Sequence, residues 1–304
     1  MRRAKLVPPE LPASGCSAFR PWPQGKIMKL QEKVCVITGA SMGIGEAIAR
    51  LFTAEGAAVV ITSRDLSRAQ AAAERIGHSE RVLPLAGDVR RRGDLEELMR
   101  QTIARFGRCD IWINNAGHGL LDSVAAMKME DCRALFDTNF FGAVEGMQVA
   151  IAQMKKQGDG AIVNISSIAG HVAVPYMAAY CASKAAMNAI GKAARVELLK
   201  TGVHVMTVCP GYIATDFASN AIKGSDRQRL GAAARPGTSA DQVAQAVLKG
   251  YLKRKREIVV PERDWMLIKM YQRWPAFMEK RMAGMLRPAD QVIAEATAHR
   301  GGKS

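Results

Sequence analysis

Val34-Cys35-Val36-Ile37-Thr38-Gly39-Ala40-Ser41-Met42-Gly43-Ile44-Gly45 decides how this chain is read. Four consecutive apolar residues suit a strand buried on both faces, and glycines follow at once. Beyond them Ile44, Ala47, Ile48, Leu51 and Phe52 recur at helical spacing. In such a strand–turn–helix unit Gly39 permits a tight turn, Gly43 lets the backbone approach phosphate oxygens, and Gly45 lets the helix lie close to the sheet. The helix N-terminus offers unpaired N–H groups, equivalent to roughly half a positive charge, to a pyrophosphate. The spacing is T-G-x-x-x-G-x-G rather than the commoner G-x-G-x-x-G. Its place after the first strand and at the opening of the first helix marks it as a dinucleotide turn.

Outward from this unit, short β-rich runs alternate with helical patterns. Residues 57–61 read as a second strand, 69–76 as a short helix and 81–85 as a weaker third strand. Asp94, with Glu97 three residues on, predicts a capped helix whose buried face is Leu95, Leu98, Met99, Ile103 and Phe106. Residues 111–113 form the fourth strand. The spacing of Leu135, Phe136, Phe140, Ala143, Val144, Met147 and Ile151 then predicts one long helix. A strand at 161–165, a long helix at 178–199 and a strand at 203–208 follow. A helix opened by Ser239-x-x-Gln242 and a strand at 258–260, ended by Pro261, complete the series. Strands alternating with helices imply a parallel sheet covered on both faces, and right-handed crossovers make it doubly wound. One α/β domain of about seven parallel strands is expected over residues 28–262.

Composition agrees. The 304 residues are 48% apolar, 23% charged and 6% aromatic, which excludes a disordered or low-complexity chain. No stretch approaches the ~18 uninterrupted apolar residues of a membrane-spanning helix. The net charge of +15 raises nucleic acid as a partner, but the charge sits at the ends. Residues 1–33 carry seven Lys/Arg against two Glu, and residues 223–304 carry seventeen against eight Asp/Glu. The body between them is near neutral, so no nucleic-acid groove is expected. Six cysteines (16, 35, 109, 132, 181, 209) form no C-x-x-C pair, which fits a reduced, cytoplasmic setting. The first 25 residues hold five prolines without periodicity. Residues 1–27 are therefore expected to be a disordered extension or the product of a start codon placed too early, with Met28 as the true start.

The end of the second strand selects the cofactor. NAD sites need a carboxylate there for the ribose 2′-hydroxyl, and NADP sites a cation for the 2′-phosphate. The chain reads Thr62-Ser63-Arg64-Asp65, and Arg64 can grip phosphate in bidentate fashion, which favours NADP over NAD. Asp65, one place on, is the awkward residue; the plain alternative is that both are exposed charges at a helix entry.

Tyr180-Cys181-Ala182-Ser183-Lys184 puts a phenol and an ammonium on one face of a helix. A free phenol of pKa ~10 is of little use for proton transfer near neutrality. A nearby cation favours phenolate, and a shift of about 3 units would take roughly 4 kcal/mol of differential stabilisation. Taken with Thr38–Gly45, Asn114-Asn115-Ala116-Gly117, Asn139, Ile165-Ser166-Ser167 and Pro210-Gly211-Tyr212-Ile213-Ala214-Thr215, the pattern resembles the short-chain dehydrogenase/reductase superfamily, a Rossmann fold, over roughly residues 29–260. Within it the chain is similar to the branch of 3-oxoacyl-carrier-protein reductases and hydroxysteroid dehydrogenase-like enzymes.

The resemblance implies an oxidoreductase that moves hydride between NADP(H) and a carbonyl or secondary alcohol. Tyr180 would be general acid or base, Lys184 would hold the nicotinamide ribose and lower the tyrosine pKa, and Ser167 would bond the substrate oxygen. Asn139 would anchor a proton-relaying water. Asn115 and Asp88 would border the adenosine, and Ile213 and Thr215 would hold the carboxamide. The implied cofactor set is Thr38, Gly39, Ser41, Met42, Gly43, Ile44, Gly45, Arg64, Asp88, Val89, Asn115, Ala116, Gly117, Tyr180, Lys184, Pro210, Gly211, Ile213 and Thr215, with no metal.

Segments 118–122, 168–177 and 213–235 should line the substrate pocket. Ile168, Val172, Val174, Pro175, Met177, Ile213 and Phe217 make it apolar, as small-molecule sites tend to be. His118 and His171 are expected to be incidental loop histidines. Residues 263–304 form a basic helical extension rich in Trp and Met. It suits cover for the substrate mouth or contact with a second copy in a homo-oligomer; peripheral membrane contact is the alternative. The rival to an enzyme is a catalytically silent nicotinamide-sensing or membrane-associated binding protein on the same fold, which would tolerate loss of Tyr180 or Lys184.

Overall fold

The computed structural model describes residues 28–213, 217, 220–225, 237–284 and 286. The expected extension at 1–27, Thr215, all of 226–236 and the last residues of the tail lie outside them.

Seven parallel strands form one sheet. They are β1 (Val34–Ile37), β2 (Ala58–Ser63), β3 (Val82–Ala86), β4 (Ile111–Asn114), β6 (Gly160–Ile165), β7 (Val203–Pro210) and β9 (Glu257–Val260), in the order β3-β2-β1-β4-β6-β7-β9. The order reverses between β1 and β4, which opens the crevice at the strand ends where open α/β sheets bind ligands. The helices are α1 (Gly43–Ala54), α2 (Leu66–Ile76), α3 (Arg92–Phe106), α4 (Met129–Phe136), α5 (Gly142–Gln157), α6 (Ala178–Glu197) and α7 (Ala240–Leu252). Two-residue strands β5 (Leu120–Leu121) and β8 (Ile222–Lys223) pair into a second, small sheet that the sequence pattern does not announce.

The continuous apolar runs follow from burial on both sides. Cys35, Ile37, Val59, Ile61, Ile111 and Ile113 share one core with Phe52 of α1, Ile76 of α2 and Leu248 of α7. The alternate residues Val36, Val60, Trp112, Ile162 and Val205 share the other with Leu95 and Leu98 of α3 and Met147 and Met154 of α5. Successive side chains point to opposite faces, so every residue of β1 is enclosed. The same enclosure obliges polar side chains to pair. Trp112 Nε1 donates to Asn114 Oδ1 at 2.8 Å, and Asn114 Nδ2 donates to Asn164 Oδ1 at 2.9 Å, joining β4 to β6.

Two local expectations need correction. Asp94 does not cap α3, which begins at Arg92. The Asp94 carboxylate instead accepts the backbone N–H of Asp88 at 2.8 Å, and Glu97 is held by Arg100 and Gln101. The single long helix around Leu135–Ile151 is two helices joined by a π-helical turn, Asp137–Phe141, with the buried Asn139 at its centre. Such turns recur where a helix is bent to present a functional residue. Ser239 and Gln242, in contrast, form the full reciprocal cap at the start of α7.

Past β9, α8 (Asp264–Arg273) and α9 (Pro275–Ala283) fold back on the body. Ile268 is buried against Val172, Cys209 and Val259, with Trp265, Tyr271 and Met282 around it. Met266, Trp274 and Phe277 face outward.

Candidate active site

The glycine-rich turn is held by two polar side chains. Thr38, buried at the crest of β1, bonds the carbonyl of Ile113, and its Oγ1 accepts the N–H groups of Asn115 and Ala116 at 3.0 and 3.1 Å. Asn115 Nδ2 donates back to the carbonyls of Thr38 and Gly39 at 2.9 and 2.8 Å. Both residues thus act by fixing the turn. Gly39 has φ +63°, and a Cβ there would sit 2.7 Å from the Cα of Ala116. A Cβ on Gly45 would meet Asn115 Nδ2 at 2.5 Å and the Gly39 carbonyl at 2.8 Å. The first turn of α1 has no side-chain cap; Met42 enters it extended, with Ser41, Gly43 and Ile44 on either side. A pyrophosphate fits these residues, because the cradle is kept free of side chains and its N–H groups stay available.

At the end of β2, Asp65 spends its carboxylate capping α2, accepting from Ser67 N at 2.9 Å and Ser67 Oγ at 2.8 Å. Those bonds hold its pKa below the usual carboxylate range. Arg64 is left exposed on a cavity of 630 Å3 lined also by Asp88, Arg90, Arg91 and Asp137. Arg90 bonds both oxygens of Asp88, from Nε at 3.0 Å and from Nη2, and lowers its pKa. Val89 is buried in the core against the first residue of α5. Arg90 and Arg91 were not singled out from the sequence; the run Arg90-Arg91-Arg92 after β3 was the available signal.

The reacting groups come from four elements. Tyr180 and Lys184 lie in the first turns of α6, both buried, with Lys184 Nζ 5.8 Å from the centre of the Tyr180 ring. Ser167 follows β6; its Oγ donates to the Pro210 carbonyl at the end of β7 at 3.3 Å and accepts from Ala169 N at 3.1 Å, and the hydroxyl is close enough to Tyr180 to oppose the rise in the phenol pKa.

Burial dominates the electrostatics of the pair. Burial pushes the Tyr180 pKa up to about 12, the Ser167 hydroxyl opposing it, and lowers Lys184 to about 8. The physical cause is desolvation, which disfavours each charged form. Lys184 donates to the Ile165 carbonyl at 2.9 Å. Asn139 is held by three hydrogen bonds. Its Oδ1 accepts from His118 N at 3.0 Å, and its Nδ2 donates to the His118 carbonyl at 2.9 Å and to Ser183 Oγ at 3.3 Å. The amide clamps the loop after β4 onto α6. Gly117 sits in this clamp, where a Cβ would lie 3.1 Å from Asn139 Oδ1 and 3.6 Å from Lys184 Nζ.

With this geometry in view, the family model described as short chain dehydrogenase matches residues 33–226, well over half of the chain. The chain belongs to that family. A zebrafish (Danio rerio) relative, dehydrogenase/reductase SDR family member 7B, is 33% identical over 85% of this chain and 87% of its own. An uncharacterized oxidoreductase of Staphylococcus aureus is 35% identical over 72% and 90%. Among solved structures, a short chain dehydrogenase/reductase from Burkholderia phymatum in complex with NAD superposes with a TM-score of 0.72 at 22% identity, covering 82% of this chain and 96% of that one. That likeness concerns the fold. Membership makes the chain a dehydrogenase/reductase that takes a nicotinamide dinucleotide and a small-molecule substrate.

For this short-chain dehydrogenase the apolar pocket is only partly the one expected. Tyr180 shares a cluster with Leu120, Leu135, Val174, Met177, Phe217 and Ile222, and the Phe217 ring lies 5.3 Å from the Tyr180 ring. Val172 and Ile168 point instead to the cluster under α8, and Ile213 packs beside the α1 face of the sheet. His118, half-buried beside the Asn139 clamp, has its pKa lowered by burial. His171 turns away from Tyr180 toward Glu257. Among the described residues no helix is long and apolar enough to cross a membrane.

Proposed function

We propose that the chain is an NADP(H)-dependent reductase of apolar ketones or aldehydes, or the corresponding secondary-alcohol dehydrogenase, with Tyr180 as general acid and base. One observation carries the reading: a buried phenol with a buried ammonium 5.8 Å from its ring and the Ser167 hydroxyl beside it, in a chain that also keeps a dinucleotide cradle free of side chains. When bound, the reduced nicotinamide supplies the hydride. Ser167 and Tyr180 then face the oxygen on which charge grows, and being preorganised in a buried site they need no reorientation. Tyr180 gives its proton to that oxygen. A pKa near 12 keeps the phenol protonated, the form reduction requires. Lys184, close by, stabilises the phenolate left behind. Asn139 holds the His118 loop and α6 in register, a positioning role.

The NADP preference is supported by the cavity charge. Asp65 is occupied as a helix cap, whereas Arg64, Arg90 and Arg91 surround the space beyond β2. Leu120, Val174, Met177, Phe217 and Ile222 support an apolar substrate. We further take residues 28–262 as the catalytic unit, acting in the cytoplasm as a homo-oligomer, with 263–304 as an appended helical segment.

The test is a panel of apolar ketones, aldehydes and alcohols assayed with both cofactors through nicotinamide absorbance. Turnover with a higher kcat/KM for NADPH is expected. Preference for NADH overturns the cofactor assignment, and full turnover in Tyr180→Phe overturns the mechanism.

A further inference from the structure

The reaction just described makes no use of a cluster beneath the Ser167 turn. His171 closes the short 3-10 turn, Ile168–Gly170, that follows Ser167. Cys209 precedes Pro210 at the end of β7, and Glu257 opens β9. Glu257 is in register with Thr207, two residues before Cys209, so its side chain and the thiol stand on one face of the sheet. His171 Nε2 lies 2.7 Å from Glu257 Oε1, and Cys209 Sγ lies 3.6 Å from each of those atoms. All three donor atoms fall within 4.8 Å of one another.

We propose that His171, Cys209 and Glu257 bind a zinc-class divalent cation that pins the Ser167 turn to the sheet. The distances support a tetrahedral site. Bonds of about 2.3 Å to sulfur and 2.0–2.1 Å to nitrogen or oxygen give S–N and S–O edges of about 3.5 Å and an N–O edge of about 3.3 Å. Two edges already match; the third needs His171 and Glu257 to part by about 0.6 Å. The charges also suit the ion, since a thiolate, a carboxylate and a neutral imidazole together cancel a divalent cation.

The three donors occupy three corners of a tetrahedron and are shielded from solvent. Cys209 is fully buried, the His171 and Glu257 side chains are 9% and 16% exposed, and Val172, Val259, Ile268 and Trp265 enclose them. Binding forms a bond from each donor to the cation and sends the Cys209 proton to solvent; no electron is transferred. The consequence lies at the active site. His171 is four residues beyond Ser167, and Cys209 adjoins Pro210, whose carbonyl Ser167 contacts.

The test uses the full chain freed of metal with a chelator, then dialysed against zinc and, separately, cobalt(II). About one equivalent of zinc is expected to be retained, with a raised Tm and a cobalt spectrum showing tetrahedral bands and a thiolate charge-transfer band. Cys209→Ser should lose that band, and Glu257→Gln should weaken zinc on the order of 100-fold. Failure of the wild-type chain to retain zinc at micromolar free metal overturns the proposal, as does a cobalt spectrum without the thiolate band. So does the same band in folded Cys209→Ser. The wild-type readouts stand even where a variant does not fold, and none depends on turnover.

Discussion

The Lys184 ammonium lies 5.8 Å from the centre of the Tyr180 ring, yet its hydrogen bond goes to the Ile165 carbonyl. Both groups are buried, and burial drives their pKa values in opposite directions, up to about 12 for the phenol and down to about 8 for the amine. The pair is therefore poised with the phenol protonated and the lysine near its titration point at physiological pH. Four predictions follow from this site and its cradle.

Replacing Tyr180 by Phe removes the proton donor while leaving its ring contact with Phe217 intact. Reductase kcat should fall by about 1,000-fold or more, the scale of positioned acid–base catalysis. Binding of NADPH, followed by fluorescence titration, should change less than about threefold.

The Lys184 titration should be visible in both activity and stability. The kcat/KM for NADPH reports the free enzyme and should decline above pH ~8 as the lysine loses its proton; Lys184→Arg should move the decline upward. In the folded state the lysine releases its proton near pH 8, whereas unfolded it holds it to about 10.4. The unfolded chain thus binds more protons between those values, so this residue makes stability rise with pH there. Tyr180 acts oppositely above pH ~10, where the folded state retains the extra proton. Lys184→Met should flatten the rise and stabilise the protein at pH 7 by up to about 3 kcal/mol, read from denaturant midpoints.

Arg64→Ala should raise the KM for NADPH by about 10- to 100-fold, the loss of one bidentate phosphate contact, and leave the KM for NADH within about threefold. Asp65→Ala should leave the cofactor preference in place and lower the Tm, because that carboxylate serves α2. An equal effect of Arg64→Ala on both cofactors would remove the basis for the preference.

Gly45→Ala tests the cradle. Its Cβ would press on the Gly39 carbonyl and the Ala40 Cα at 2.8 Å, both backbone atoms with little room to move. A stability loss of about 1–3 kcal/mol and a cofactor KM raised at least ~10-fold are expected. Gly77→Ala, with open space around it but φ +75°, is the control for backbone strain alone.

The strands were legible because sheet burial leaves an unbroken apolar run, as in Val34–Ile37, and that signal is local. The π-helical turn was not. Phe136, Phe140 and Ala143 keep a helical rhythm through it, and the extra residue matters only because Asn139 must reach His118 and Ser183. The small β5–β8 sheet was equally silent, since two-residue strands carry no period. Among site residues, the spacing of Tyr180 and Lys184 on one turn was readable in advance. The alliance of Arg64 with Arg90 and Arg91 was not, because β2 and β3 bring them together only once the sheet is built.

The sequence by itself determined the order of strands and helices, the glycine cradle and the types of group available for proton transfer. Each depends on neighbours within a few residues, through periodicity, turn geometry or one helical turn. Only the tertiary structure decided what those groups are worth. Desolvation of Tyr180 and Lys184, the occupation of Asn139 by His118 and Ser183, and the meeting of His171, Cys209 and Glu257 all require segments distant in the chain. Burial and long-range contact are properties of the packed molecule, and no stretch of residues carries them alone.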